Sequence, residues 1–149
     1  RIAAALAAIR AAQLAGAIER VLTLTVDYAR TRKQFGKPIG QFQAIQQQLA
    51  VLAGQSASAS VAAEHALRRW KHRDFAMLAA AAKIRCGEAA GAAISIAHQT
   101  HGAIGITYEH ELHFATRRLH SWRAEAGSEA RWAQKLGEWA SELGPERLW

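Results

Sequence analysis

The chain of 149 residues contains one cysteine and two prolines, and its acids are outnumbered by its bases, 12 to 19. A lone Cys86 can form no internal disulfide, so the fold is not a disulfide scaffold and no oxidising compartment is implied. Its nearest cations are Lys83 and Arg85 and no histidine lies at helical spacing from it, so it reads as a buried structural thiol and not as a nucleophile. Scarcity of proline in an alanine-dominated chain favours helix nearly throughout. Long apolar runs are missing too: Arg1 and Arg10, then Glu19 and Arg20, break the alanine-rich start before it reaches the roughly 18 to 20 uncharged residues of a membrane span. That start also lacks a leucine-rich signal core with a cleavage site, which leads to the expectation of a cytoplasmic protein with no membrane span. The net charge of +7 and pI near 10.3 imply an acidic partner, whether nucleic acid, membrane phosphate or a phosphate-bearing cofactor, and charge does not choose among them.

The length suits one domain, expected over residues 1–149, with enough chain for a real core. The chain begins at Arg1 without a methionine and enters a helical pattern at once, as a piece of a longer protein would. Ile2 to about Arg30 reads as the first helix, with Ile2, Leu6, Ile9, Ile18, Val21, Leu22 and Tyr28 spaced mainly by threes, fours and sevens. Gly36, Pro38 and Gly40 form a turn, and Gln41 to about Arg69 is the second helix, with Phe42, Ile45, Leu49, Leu52, Ser56, Ala59 and Ala63 on one stripe. Asp74 is the expected cap of a third helix, Phe75 to about Thr100, because its carboxylate can accept from first-turn amides. Gly102 is the expected stop of that helix. Thr107 is the expected cap of a fourth, Glu109 to about Ser121, with Leu112, Ala115, Thr116 and Leu119 inward. A break over Glu125 to Ser128 precedes the last helix, Glu129 to about Leu143, where Trp132, Leu136 and Trp139 stand at i, i+4 and i+7. The predicted fold is all-α: an antiparallel four-helix-type bundle of three long helices with two shorter C-terminal ones.

The densest chemistry lies in Tyr28 to Gln46, YARTRKQFGKPIGQFQAIQ, where Arg30, Arg32, Lys33 and Lys37 cluster beside Phe35, Gly36 and Pro38. A basic turn at a helix end is a plausible phosphate cradle, although most such cations merely complement the helix dipole. The order of residues is more specific than the charge. Arg32-Lys-Gln-Phe-Gly-Lys-Pro-Ile-Gly-Gln-Phe-Gln-Ala-Ile-Gln resembles the arginine-glutamine-phenylalanine-glycine segment of the acyl-CoA dehydrogenase family, lying as it does there between two long helices. The resemblance covers essentially the whole chain but only the C-terminal helical domain of a typical member, without its amino-terminal helical domain and middle β-domain.

A second segment, Gln99-Thr-His-Gly102-Ala103-Ile-Gly105, resembles the family's glycine-rich loop, with Ala103 in place of its middle glycine. In the family these two segments reach across a subunit interface to the adenosine diphosphate half of a neighbour's FAD. Carried over, Arg32 and Gln34 meet the pyrophosphate region, Phe35 packs along the cofactor, and Gln43, Gln99, Gly102 and Ala103 meet its adenosine portion. The chemistry suits that role: arginine offers a planar fork to phosphate oxygens, in charge-assisted bonds worth roughly 1.5–3 kcal/mol, and glycine lets backbone approach without a Cβ. Ala103 adds a methyl group where the cofactor passes. Apart from the resemblance, Gly102 reads simply as a helix stop.

The family's catalytic base is a glutamate in a Tyr-Glu-Gly-Thr segment before the last helix. It removes the substrate's α-proton while hydride leaves the β-carbon for the flavin. Counting without gaps, the matching segment is Glu125-Ala126-Gly127-Ser128, which puts Ala126 at the base position; one deleted residue puts Glu125 there. The two registers separate an enzyme from a passenger, since a methyl group accepts no proton. Glu125 also reads as an exposed acid ahead of a helix N-terminus. Many members carry an arginine one turn into the first long helix, and the equivalent spacing here gives Ala7.

Seven histidines include the pairs His98/His101 and His110/His113, spaced to share helix faces, but no cysteine or acidic cluster joins them and no metal is expected. Trp122, Trp132 and Trp139, with Arg123 and Arg131 between them, suit single-stranded nucleic acid in principle, but their helical spacing favours a core or interface stripe. The resemblance therefore implies the C-terminal domain of an FAD-dependent flavoprotein that dehydrogenates acyl-CoA thioesters, assembled as a dimer or tetramer and reoxidised by an electron-transferring flavoprotein, inactive as an isolated fragment. The alternatives are a subunit of such a complex that lacks the base, and a basic helical nucleic-acid module.

Overall fold

A computed structural model describes residues 1–143; the last six residues of the domain expected over 1–149 lie outside the described part. Five helices follow in order: α1 (Ile2–Thr31), α2 (Gln43–Arg68), α3 (Phe75–His101), α4 (Leu112–Ala124) and α5 (Glu129–Leu143). The first four run up, down, up and down, α5 continues the direction of α4, and α3 is the central helix, packed against all the others. The architecture is the expected all-α bundle of three long and two shorter helices.

The core is made largely of methyl groups. Ala11, Leu14, Ala15, Ile18 and Val21 of α1 meet Leu52, Ala59 and Ala63 of α2 and Cys86, Ala89, Ala90 and Ala93 of α3, and Leu112 and Leu119 of α4 close the layer. Small side chains bring helix backbones together, so each contact is short even though each residue buries little area. This corrects the expected inward face of α1. Its amino-terminal half buries Ala4, Ala7, Ala8 and Ala11, leaving Ile2, Leu6 and Ile9 at 80%, 52% and 50% exposure. The branched side chains are too large for the close α1–α3 approach and stand outside it. One stretch of α1 reaches the mean hydropathy, 1.4, and length of a membrane-crossing helix, but a continuous face of this helix lies in the bundle core. Cys86 is buried with its thiol donating to the Ala59 carbonyl at 3.4 Å, and burial pushes its pKa up to about 12, as befits a structural thiol.

The turn between α1 and α2 is more ordered than its glycines and proline foretell. β1 (Lys33–Gln34) and β2 (Lys37–Pro38) form a two-residue hairpin in register Lys33↔Pro38 and Gln34↔Lys37. Its tip, Phe35 and Gly36, has φ of 52° and 79°, the doubly positive pattern of a turn whose twist matches paired strands. A 3₁₀ turn, Ile39–Gln41, then delays α2 to Gln43, two residues later than expected. Gly40 passes so close to α1 that a Cβ there would stand 3.1 Å from the Ala29 carbonyl oxygen.

Two expected caps are corrected. Asp74 occupies the position before α3, but its near-helical backbone turns the carboxylate toward His72 Nδ1 at 3.0 Å and Arg73 Nε at 3.4 Å, away from the first-turn amides. Thr107 does not start α4: its amide and hydroxyl both donate back to the Ile104 carbonyl, ending a 3₁₀ turn over Gly102–Ile106, and α4 begins only at Leu112. Gly102 does stop α3, at φ 63° and ψ −144°, a conformation open essentially to glycine alone.

Candidate functional site

Two clefts lie toward opposite ends of α3. The first, of about 320 Å³, forms where the end of α1 and the hairpin meet the end of α3, and is lined by Tyr28, Arg32, Gln34, Ile39, Gln99, Thr100, His101, Gly102 and Ala103. The fold thus brings together Arg32 and Gln34 from one segment with Gln99, Gly102 and Ala103 from another nearly seventy positions away in sequence. It does not bring in Phe35 or Gln43. Phe35 is 91% exposed at the hairpin tip, edge-on to Phe42 at 6.1 Å between ring centroids. Gln43 opens α2 on the exposed side.

The donor set suits an anionic, hydrogen-bonding group. Arg32 is held by its amide, which donates to the Tyr28 carbonyl, and by its carbonyl, which accepts from Ile39. Amides and a hydroxyl surround it, and no carboxylate lines the cleft. A Cβ built on Gly102 would meet nothing within 4 Å, so its backbone faces space that this chain leaves free. Beneath, His101 stacks on Tyr28 at 4.4 Å and donates from Nδ1 to the Ala97 carbonyl, which leaves buried Nε2 without a partner. Burial depresses the pKa of His101, and the neighbouring His110 and His98 act in the same direction. The set is of the kind that phosphate oxygens and polar ring edges need: a planar guanidinium fork, side-chain amides at Gln34 and Gln99, and an open glycine backbone at Gly102.

The second cleft, about 350 Å³, is lined by Leu6, Ile9, Arg10, Glu125 and Ala126. Both residues that compete for the base position therefore border the same space. The Glu125 carboxylate is paired with the Arg10 guanidinium and accepts from Ser121 Oγ at 2.8 Å. Ala126 has φ 57°, a left-handed conformation rare for a residue with a Cβ, and Gly127 follows at 99°. The turn is pinned by Trp132, whose Nε1–H donates to the Ala126 carbonyl at 2.8 Å.

Arg10 lies outside the segments that carry the resemblance. Ala7, at the spacing of the family's helix arginine, is fully buried beside Ala80 and Trp132; Arg10, one turn further on the same side of α1, reaches the cleft and also lies over the Trp122 ring at 5.9 Å. The i, i+3 spacing was the available signal. Lys83 was noted only as a neighbour of Cys86, yet it is the largest side chain buried outright; nothing in an alanine-rich helix announces that.

The histidine pairs are otherwise engaged. His98 Nε2 meets Thr116 Oγ1 at 3.2 Å, His110 Nδ1 accepts from the Leu112 amide, and His113 Nδ1 donates to the His110 carbonyl. Among the described residues no group of three potential ligands is placed to hold a metal. Trp132 is buried, Trp139 packs beside it and Trp122 packs on the main core, so these three lie along the core stripe that their helical spacing predicts.

Residues 4–140 match the family described as acyl-CoA dehydrogenase, C-terminal domain. The chain is 40% identical over 119 residues to acyl-CoA dehydrogenase IpdE2 of Mycobacterium tuberculosis, covering 80% of this chain and 36% of that protein. It is 36% identical over 133 residues to acyl-CoA dehydrogenase FadE34 of the same organism, covering 87% and 19% respectively. Among solved structures, butyryl-CoA dehydrogenase of Megasphaera elsdenii superimposes with a TM-score of 0.85 at 27% identity, over 93% of this chain and 36% of that one. A chain of the ChsE4-ChsE5 complex from Mycobacterium tuberculosis gives 0.83 at 27% identity, over 95% and 39%. The chain thus spans well under half the length of the relatives it matches.

Proposed function

The chain belongs to the acyl-CoA dehydrogenase family, whose C-terminal domain it matches over residues 4–140, and from that membership we propose that it supplies the helical half of an FAD site in an oligomeric enzyme oxidising acyl-CoA thioesters. One observation carries the proposal: the cleft that joins Arg32 and Gln34 to Gln99, Gly102 and Ala103 with no acid among its lining. Flavin, when bound, supplies the hydride acceptor for α,β-dehydrogenation. This chain's part is to grip the phosphate and adenosine portion with the Arg32 fork and the open Gly102 backbone, and to offer Glu125 Oε1 or Oε2 as the acceptor of the substrate's α-proton. In this reading Phe35, exposed at the hairpin tip beside Lys33 and Lys37, packs on a neighbouring subunit's cofactor. A dimer or tetramer and electron transfer to a partner flavoprotein belong to the same proposal.

The test uses the full-length protein. Arg32→Ala removes a charge-assisted phosphate contact and is expected to weaken FAD retention by about tenfold to a hundredfold, measured as flavin absorbance after gel filtration. Unchanged retention would sink the cofactor assignment, and a wild-type full-length protein that binds DNA or RNA in a salt-dependent way but holds no flavin would favour the nucleic-acid module.

A second reading has its own observation in its favour. Glu125 is tied to Arg10 and Ser121, while the methyl group of Ala126 occupies the left-handed position of the turn. On that reading the chain is a subunit without a base that contributes cofactor contacts to an active paralogue. Glu125→Gln separates the two: loss of at least about a hundredfold in kcat marks Glu125 as the base, and retained activity marks the paralogue as its source.

A further inference from the structure

Lys83 is completely buried in the first half of α3, and neither clause of the functional reading uses it. Its ammonium donates to the Arg123 carbonyl at 2.8 Å, a carbonyl one residue short of the end of α4 that the helix itself leaves unbonded. Beside it Arg123 Nε donates to Glu129 Oε1 at 2.8 Å, joining the last turn of α4 to the first residue of α5. The Glu129 charge favours the Lys83 ammonium, so the three side chains form a charge cluster spanning the two ends of the 125–128 break.

The floor of the cluster is cut to fit. Lys83, Gly87 and Gly91 stand at i, i+4 and i+8 on α3, one stripe of a helix. A Cβ at Gly87 would lie 2.0 Å from Glu129 Oε1, and one at Gly91 would lie 3.0 Å from Arg123 Nη1. Two glycines therefore make room for the carboxylate and guanidinium, and the lysine alone reaches up between them and the break. Next to it Ala80, Ala7 and Trp132 pack together, and Trp132 in turn holds the Ala126 carbonyl. Replacing a whole buried charge cluster with hydrocarbon is commonly neutral for stability or favourable, whereas removing one member leaves its partners unpaired, so a cluster kept here by two glycines and a buried lysine points to a geometric task.

We propose that Lys83 is a positioning residue: by fixing the Arg123 carbonyl within the Arg123–Glu129 cluster it sets the turn 125–128, and with it the Glu125 carboxylate and Ala126 backbone, at the edge of the substrate cleft. It touches no reacting atom. The assignment rests on the reading of that cleft as the substrate side of the site. The cofactor cleft lies elsewhere: from Lys83 to Gln99 is sixteen residues, roughly 24 Å of helix, so the two ends can be perturbed separately.

The test is Lys83→Met in the full-length flavoprotein, a change that keeps the bulk and removes the ammonium. FAD content and the KM for an acyl-CoA should stay within about twofold of wild type, while kcat falls about tenfold or more and amide hydrogen exchange across residues 123–132 quickens by a similar factor. Wild-type exchange in that segment overturns the proposal. Exchange that quickens evenly along α3, with FAD lost in step, overturns it too, because Lys83 would then be a packing residue only. If Lys83→Met does not assemble, Glu129→Gln keeps the ammonium and weakens its anchor. Faster exchange confined to 123–132 then supports the assignment and unchanged exchange overturns it. A wild-type protein that oxidises no acyl-CoA counts against the functional reading, and the exchange measurement still decides the role of Lys83.

Discussion

The two clefts are built by opposite means. At the cofactor end, backbone does the shaping: a doubly positive hairpin tip, a 3₁₀ turn and a glycine stop present Arg32, Gln99 and Gly102 on exposed elements. Around the 125–128 break, side chains do it: buried Lys83 and Trp132 with half-buried Arg123 and Glu129 hold a short left-handed turn from beneath. Local geometry survives alterations elsewhere in the bundle, whereas a network spread over α3, α4 and α5 fails as a unit. Loss of one contact at the ligand-gripping end should therefore stay local to that cleft, while loss of one member of the network should be felt across the whole 125–128 break.

Glycine substitutions test that contrast most strongly. Gly87→Ala forces a methyl group into Glu129, breaks the Arg123–Glu129 pair and should destabilise the domain by about 1–3 kcal/mol, read as a fall in the thermal unfolding midpoint of the full-length protein. Gly102→Ala meets no atom of the chain but strains the backbone, at about 1–2 kcal/mol, and should weaken FAD retention more than it lowers that midpoint. Equal effects of the two on FAD would contradict the separation of the ends. A smaller change is expected from Trp132→Phe, which keeps the packing and deletes the bond to the Ala126 carbonyl, a loss of about 1 kcal/mol. It should loosen exchange at 125–128 and leave the hairpin unaffected.

The same contrast explains how much the sequence revealed. Helix number, approximate bounds and the all-α bundle followed from apolar spacing and the shortage of proline, and the meeting of Arg32 and Gln34 with Gln99, Gly102 and Ala103 in one cleft followed from the resemblance carried by two local segments. Phe35 and Gln43 fell outside the cleft because the hairpin and the 3₁₀ turn, invisible to a periodicity argument, aim them away. The α1 face was misread because large apolar residues weigh most in a spacing argument, whereas close helix approach selects the alanines between them. The pairings of Arg10, Lys83 and Glu129 were not legible, since they join residues between 6 and 115 positions apart that no local pattern links.

Titration separates the ends most gently. Burial, aided by neighbouring histidines, lowers the pKa of His98 and His101 near the cofactor cleft below the ordinary 6.5. Below pH 6.5 the unfolded chain then binds protons that the folded one refuses, so stability declines from that pH down to the folded pKa values. At the other end burial lowers Lys83 below 10.5, with the Glu129 charge opposing, and by the same rule stability rises between its folded pKa and 10.5. Glu129 contributes in acid: burial raises its pKa, but the Arg123 hydrogen bond, its own amide and the Arg123 and Lys83 charges outweigh that, so its stabilisation is full above 4.5 and disappears as pH falls through the lower folded value. Cys86 opposes the Lys83 rise above pH 9, because its thiol, pushed up to about 12 by burial, keeps a proton that the unfolded chain loses. Unfolding midpoints measured from pH 4 to 10 should therefore climb through the histidine window, and on the alkaline side Lys83→Met should fall away from wild type because only the Cys86 effect is left. An alkaline limb of the same slope in wild type and Lys83→Met would mean that the buried charge does not contribute to it, and the two ends would no longer be distinguishable by their protons.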